Sequence, residues 1–227
     1  MSTPEAQFRK IITELRVAIA AVDVVLFTIF DATLHVFLAP INKPPYYTDM
    51  HGLPGGIIGP RESSEEAAAR HLKEKVHIDG VTVEQLYTFS NPDRDKRSRS
   101  ISVAYIALVS PEQITIGKNR EGEWVSIKAL PKLAYDHAEI IAVALERLKS
   151  KLIYTNIAAR LLPKQFTLPE LQKAYEIILN QKLDKRNFRK RILSLGLVKS
   201  IGKKKKTLYR PAELYRFIKR DTVVVTK

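Results

Sequence analysis

Residues 53–78 read LPGGIIGPRESSEEAAARHLKEKVHI, and this stretch decides the fold of the first part of the chain. Its opening, Leu53–Gly56, holds one proline and two glycines and predicts a loop. Ser63 followed three residues later by Glu66 is a capping box, which predicts the start of a helix. The expected buried stripe of that helix consists of residues at four-residue spacing, Ala68, Leu72 and Val76.

Charged side chains lie side by side on the other flank of this helix. At four-residue spacing Arg70 neighbours Glu74, and His71 neighbours Lys75. A surface helix with ion pairs would explain them without any function. The spacing of the glycine, glutamate and arginine residues behind Leu-Pro-Gly-Gly makes that explanation the weaker one.

The same spacing resembles the Nudix box of the Nudix hydrolases. The matching positions are Gly56, Glu62, Arg70, Leu72, Glu74 and Ile78. Three other positions of the box hold His71, Lys75 and His77. Two of these changes replace carboxylates that hold Mg²⁺ in the hydrolases, and Mg²⁺ needs oxygen ligands in near-octahedral geometry. The resemblance therefore implies a degenerate box without catalytic residues, metal or cofactor.

Composition separates the chain into two parts. It has 227 residues and a net charge of +14. Residues 1–155 carry 19 Lys+Arg against 19 Asp+Glu, whereas residues 156–227 carry 19 against 5. The expected partner of the second part is a polyanion, either nucleic acid or an anionic membrane surface. The membrane ranks last, because few large apolar groups oppose the charges.

Cysteine usage and hydropathy predict a soluble protein. No cysteine is present, which excludes disulfides and thiolate metal sites and fits a reducing cytoplasm. The longest apolar stretch, residues 17–30, contains Asp23 and is too short to span a bilayer. Residues 1–9 lack the apolar region of a signal peptide.

Periodicity predicts an α/β arrangement for residues 1–155, with the box helix between strands. The predicted strands are 17–30, 34–41, 81–90, 100–109 and 123–125, and the other predicted helices are 5–15 and 136–151.

A polar loop at residues 91–99 separates two of these strands. It is either a solvated loop with alternating charge or a site for an anion, because arginine holds phosphate through two donors. Both explanations stay open. Its basic residues are Arg94, Lys96, Arg97 and Arg99. His51 and His137 flank the expected cleft, but a lone histidine is more often structural than functional.

The last part predicts two capped helices and a hairpin. Thr167 is the expected N-cap of a helix through Leu179, and Asp184 caps a second helix that Gly196 ends. Short strand-like runs follow at residues 197–201 and 207–210, with lysines between them. This order is that of a winged helix-turn-helix.

The second of these helices has the composition of a DNA recognition helix. With Phe188 on its buried side, Arg186 and Lys190 point to the opposite side. Arginine and lysine reach guanine edges or phosphates, and asparagine pairs with adenine. The candidate DNA contacts are Lys185, Arg186, Asn187, Arg189, Lys190, Lys203, Lys204, Lys205 and Lys206. A solubilising surface would explain the charge but not its concentration here.

Further segments carry a family resemblance, the most specific being 161–168 followed by 184–191. The others are 93–95, 102–105 and 136–139. With the box, they resemble the Nudix-related transcriptional regulators, whose members include bacterial repressors of NAD biosynthesis and of arabinose utilisation.

This resemblance implies a Nudix α/β/α sandwich over residues 1–155 that binds an effector and forms a homodimer. A winged helix over residues 156–227 would bind a palindromic operator in double-stranded DNA. The implied effector is an ADP-ribose-like nucleotide or a pentose. We expect a non-enzymatic regulator in the bacterial cytoplasm, associated with the nucleoid when bound to DNA. The candidate effector contacts are Arg61, Glu62, Arg70, Glu74, Lys75, Arg94 and Arg99.

Two other functions stay open. An active hydrolase of a nucleoside diphosphate derivative such as ADP-ribose is disfavoured by His71 and Lys75. RNA binding through the basic module is disfavoured by the winged-helix order.

Overall fold

A computed structural model of the chain describes residues 3, 7, 17–114, 121–205 and 211–219. The predicted helix at 5–15 lies outside these residues apart from Gln7. Within the described residues, no helix is long and apolar enough to cross a bilayer.

The first part contains strands and helices, as predicted, and two strands, at residues 47–52 and 55–57, that were not predicted. Its strands are β1 (Ile19–Phe30), β2 (Thr33–Lys43), β3 (Tyr47–Gly52), β4 (Gly55–Ile57), β5 (Val83–Phe89), β6 (Ser100–Leu108) and β7 (Glu123–Ser126). Its described helices are α1 (Ser64–Val76), α2 (Pro111–Ile114) and α3 (His137–Tyr154).

These strands form one mixed sheet in the order β3-β2-β1-β6-β5, with β4 paired to β1 and β7 paired to β2. β1 and β6 run parallel through the centre, and the other pairs are antiparallel. Side chains of a strand alternate between the two faces of its sheet. Val24 therefore packs with Leu72 of α1, whereas Val25 lies in the cluster that contains Ile140 of α3. The predicted α/β/α sandwich is confirmed.

The second part is a winged helix, as predicted. It comprises a 3₁₀ helix (Ile157–Leu161), β8 (Phe166–Thr167), α4 (Leu168–Leu179), α5 (Lys185–Ser194), β9 (Val198–Lys205) and β10 (Ala212–Phe217). The three strands pair in the order β8-β10-β9. The buried cluster below α3 continues into Leu171 and Phe188 of this part. The two parts thus share apolar contacts, and the boundary at residue 155 stays a prediction.

The helix starts are set by local capping. Ser63 and Glu66 form the predicted capping box of α1, and Thr167 forms another with Glu170 at the start of α4. Each satisfies backbone N–H groups that have no partner inside the helix. Asp184 accepts the backbone N–H of Asn187 at 2.8 Å and so caps α5.

Two predictions of local structure were wrong. Gly55 and Gly56, predicted to lie in a loop, belong to β4, because Gly55 pairs closely with β1: a Cβ there would lie 2.1 Å from the carbonyl oxygen of Val22. β9 runs on through Lys203, Lys204 and Lys205. Their side chains stay solvated on a strand, so they do not form the predicted turn. Lys206 and the predicted strand 207–210 lie outside the described residues.

Candidate effector site and nucleic-acid interface

Arg70 forms ion pairs with two carboxylates at the exposed edge of α1. Its Nε and one terminal nitrogen donate to the two carboxylate oxygens of Glu62, at 2.9 and 2.5 Å. The other terminal nitrogen donates to Glu74 at 3.2 Å. These bonds, with the backbone N–H of Gly59, lower the pKa of Glu62 to about 2 and raise that of Arg70. Arg70 therefore binds both glutamates and holds Glu62 in its charged form.

His71 and Lys75 turn inward toward β4. His71 is buried, with a ring nitrogen 3.4 Å from the carbonyl oxygen of Ile57, so its predicted place on the charged outer flank was wrong. It fills the space beside Gly56, where a Cβ would lie 2.7 Å from its ring. Burial lowers the pKa of His71, and the nearby Arg70 and Lys75 cations lower it further. Its imidazole is neutral at pH 7.

The ammonium group of Lys75 binds the backbone of β4. Its Nζ donates to the carbonyl oxygen of Gly55 at 2.6 Å. Burial lowers the pKa of Lys75, while Asp23 and Glu74 raise it. The lysine is half-buried and presents a cation at the inner wall of the box, which is the side of α1 that faces β4.

The box does not fit the Mg²⁺ of the Nudix hydrolases. An ammonium group at Gly55 repels a cation, and a buried neutral imidazole replaces a hard oxygen donor at residue 71. No group of three histidine, aspartate or glutamate side chains in the described part of the chain is placed to hold a metal. The arrangement suits an anion better than a cation.

A buried ionic network lies directly behind the box. Arg94 donates from Nε and a terminal nitrogen to the two carboxylate oxygens of Asp136, at 2.9 and 2.8 Å. The same terminal nitrogen lies 3.1 Å from Asp23 on β1. His137 accepts the backbone N–H of Leu53 at Nδ1, which leaves its Nε2–H to face Asp23 at 3.2 Å.

Arg94 faces the interior and not the cleft. Its side chain is 4% exposed, and its remaining terminal nitrogen donates to Ser100 at 3.1 Å. Because its nitrogens already bind protein, the geometry opposes the predicted direct contact between Arg94 and an effector. It ties the loop at 91–99 to β1 and to the start of α3.

Burial alone would raise the pKa of Asp23, but His137, Ser102 and Arg94 together lower it from 3.8 to about 2. A carboxyl with a depressed pKa stabilises the fold above its unfolded pKa, and this contribution disappears as the pH falls through the folded pKa. We therefore expect Asp23 to contribute about 2 kcal/mol at pH 5, a contribution that is lost between about pH 4 and 2. Urea unfolding of Asp23→Asn beside the parent chain tests this: the stability gap should narrow across that window, and a constant gap would contradict it.

The remaining loop residues divide between paired and exposed groups. Arg97 binds Asp95 at 2.9 Å and lies 5.3 Å from the ring centre of Tyr135 and 5.8 Å from that of Tyr47. Tyr135 has a φ of 56°, which is uncommon for a bulky residue. Arg99 is exposed and donates to the carbonyl oxygen of Ser90 at 2.9 Å. The loop is therefore internally organised, and Arg61 and Arg99 present the exposed cations of the candidate set.

Four of the nucleic-acid candidates line one groove. In α5, Phe188 is buried while the five polar candidates from Lys185 to Lys190 are exposed. A cavity of about 1120 Å³ separates α5 from the wing, which consists of β9 and β10, and Lys185, Arg189 and Lys204 are among the residues that line it. Lys205 also lines it but forms an ion pair with Glu170 at 2.7 Å. Lysines of the wing and polar residues of α5 thus face the same space.

Two family models match the chain. The NUDIX domain matches residues 20–144, and the NrtR DNA-binding winged helix domain matches residues 158–217. The ADPR responsive transcriptional repressor NtrR of Acinetobacter baylyi is 34% identical over 95% of this chain and 88% of its own length. The chain belongs to the NrtR family of Nudix-related transcriptional regulators. It carries the DNA-binding winged helix and the Nudix effector domain of that family.

Solved structures of the NrtR family share this architecture. NrtR of Shewanella oneidensis, crystallised with a 27mer DNA, is 36% identical with a TM-score of 0.77, over 87% of this chain and 93% of its own. The NUDIX domain of the same protein with ADP ribose is 35% identical with a TM-score of 0.51, over 65% of this chain and 99% of its own.

Sequence reasoning missed the buried partners of Arg94. Asp23 interrupts an apolar strand, and a charged residue in such a place requires a partner when the strand is buried. That signal was present, but the sequence does not identify the partner, which lies 71 residues away.

Proposed function

We propose that this NrtR-family regulator represses transcription and that ADP-ribose, or a nucleotide like it, changes its affinity for operator DNA without being hydrolysed. The observation that carries the proposal is the pairing of a basic winged helix with a box that presents Lys75 where a metal-binding carboxylate would stand. The repressor of A. baylyi and the ADP ribose complex of the S. oneidensis domain support the choice of ligand.

The charges of the box support an anionic effector. Lys75 supplies a half-buried cation at the inner wall of the box. The exposed Arg61 directly precedes Glu62, which is paired with Arg70. A diphosphate could be held by such groups through charged hydrogen bonds. A pentose carries no charge and would gain little from them. The nucleotide is therefore the better fit of the two predicted effectors.

Lys75→Met will weaken ADP-ribose binding by about tenfold or more, since a hydrogen bond to a charged group contributes about 1.5–3 kcal/mol. Isothermal titration calorimetry without metal measures this affinity. The matched control is Lys73→Met on the same helix, where Lys73 pairs with the exposed Asp79 and faces away from β4. Equal ADP-ribose affinities for Lys75→Met and the parent chain would exclude this role for Lys75.

The assembly and location proposed with this function are those of a DNA-bound homodimer. Two copies would place their α5 helices about 34–36 Å apart, which matches two half-sites of a palindrome one helical turn apart. We propose that the protein acts in the cytoplasm, at the nucleoid, with no membrane partner.

Fluorescence anisotropy on duplex DNA from upstream of the chain's own and neighbouring genes tests the proposal. Saturable, sequence-selective binding that ADP-ribose shifts, and that pentoses leave unchanged, is the expected result. A change in DNA affinity caused by a pentose, with no change caused by ADP-ribose, would show that the effector is a pentose. Binding to every duplex alike, or stronger binding to RNA, would refute a sequence-specific repressor.

A further inference from the structure

Arg191 belongs to α5 but lies on a different side from Arg186 and Lys190, the candidate DNA contacts opposite Phe188. It follows Phe188 by three residues and precedes Ile192 by one, and both of those are buried. Arg186 and Lys190 point to the opposite side. A terminal nitrogen of Arg191 instead donates to the carbonyl oxygen of Ile153, at 3.0 Å. This arginine of the recognition helix therefore binds α3.

The contact is made at the C-terminal end of α3. Ile153 is the second-last residue of this helix, and the last four carbonyls of a helix have no partner inside it. The same end carries the negative pole of the helix dipole, which favours a cation. Arg191 satisfies both conditions at once. The hydrogen bond between Arg191 of α5 and Ile153 of α3 is thus favoured both by the unpaired carbonyl and by the helix dipole.

Another arginine holds the opposite end of α3. Asp136 is the N-cap residue of the helix, and its carboxylate binds Arg94 rather than capping the helix. Arg94 in turn belongs to the loop behind the box. With a rise of about 1.5 Å per residue, the helix from His137 to Tyr154 spans roughly 27 Å. One rigid element therefore joins the effector part to the recognition helix.

The joint between α3 and α5 is not tightly packed. A largely apolar cavity of about 440 Å³ lies between α3, α4 and α5, lined by residues that include Leu152, Leu179, Phe188 and Arg191. Close-packed interfaces resist small shifts, whereas a cavity gives side chains room to repack. The cavity therefore leaves room for side chains between α3 and α5 to rearrange.

We infer that Arg191 is a positioning residue that transmits the state of the effector site to the recognition helix through α3. A ligand that binds the box and moves the loop at Arg94 shifts the first turn of α3, and Arg191 carries that shift to α5. Helix shifts of about 1–2 Å are sufficient in known switching proteins. This inference rests on the proposed function, since it needs a ligand with different affinity for the two states.

The test is the ratio of DNA dissociation constants with and without saturating ADP-ribose, measured on the full-length protein by anisotropy. We expect a ratio that differs from one by about tenfold in the parent chain and by less than about twofold in Arg191→Ala. Affinity for ADP-ribose, and for DNA without ligand, should stay within about threefold of the parent. Arg191→Lys should restore part of the ratio, because an ammonium group also donates to a carbonyl. Lys164→Ala, an exposed basic residue of the same part, is the control.

Each outcome separates the two proposals. A parent ratio of one would overturn the proposed function and this inference with it. A responsive parent with an equally responsive Arg191→Ala would overturn the inference alone. Loss of DNA binding in Arg191→Ala without ligand would also overturn it, because Arg191 would then be required for DNA binding itself and not for the response to ligand. A lost ratio with both affinities kept is the result that supports transmission.

Discussion

Arg94→Ala will lower the free energy of unfolding by about 3–5 kcal/mol, because it leaves two buried carboxylates without their cation. Asp136 loses two charged hydrogen bonds from the guanidinium group, Asp23 loses one, and Ser100 loses another. Urea unfolding at neutral pH, followed by far-UV circular dichroism, measures the loss. The result would show that Arg94, a predicted effector contact, stabilises the fold.

The matched control is Arg99→Ala in the same loop. Arg99 is exposed and bonds to the carbonyl oxygen of Ser90, so its loss should change stability by no more than about 0.5 kcal/mol. If the two variants lost the same stability, the buried network would not have the importance that its geometry indicates.

Arg186→Ala combined with Lys190→Ala will weaken operator binding by about 2–4 kcal/mol, because each change removes a group from the exposed side of the recognition helix. This corresponds to roughly 30–1000-fold in the dissociation constant. Anisotropy on the same duplex at several salt concentrations measures it. For each phosphate contact that is lost, the slope of log K against log salt should fall by about one.

A control with the same loss of charge separates contact from net charge. Lys128 and Lys132 are exposed basic residues of the loop after β7, so Lys128→Ala with Lys132→Ala removes two charges outside the winged helix. We expect operator affinity within about threefold of the parent, since both lysines lie outside α5 and salt weakens the attraction between exposed charges that are not in contact. An equal loss in both double variants would reduce the role of α5 to general electrostatic attraction.

The parts of the fold that depend on neighbouring residues were predictable. The cap at Ser63, the cap at Thr167 and the start of α5 at Asp184 all use partners within three residues. The continuous apolar run of β1 is likewise visible in the sequence. The division of the chain by charge indicated a nucleic-acid module, and the family match confirms a DNA-binding winged helix.

The parts that depend on distant residues were not predictable. β4 exists because Gly55 can approach Val22 closely, and the sequence shows only a glycine in a breaker-rich run. The inward position of His71 depends on the space that Gly56 leaves beside it. The role of Arg94 depends on Asp136, which lies 42 residues away. Local patterns supply elements and their limits, whereas the site is assembled by tertiary contacts.

The central claim is that the Nudix domain senses a nucleotide without consuming it. The most direct measurement incubates the protein–operator complex with ADP-ribose and Mg²⁺, follows anisotropy over time and separates the nucleotides by chromatography. We predict a change in DNA affinity that persists, with ADP-ribose recovered intact. Conversion of ADP-ribose to AMP and ribose phosphate, with the DNA affinity returning to its starting value as the nucleotide is consumed, would contradict this account.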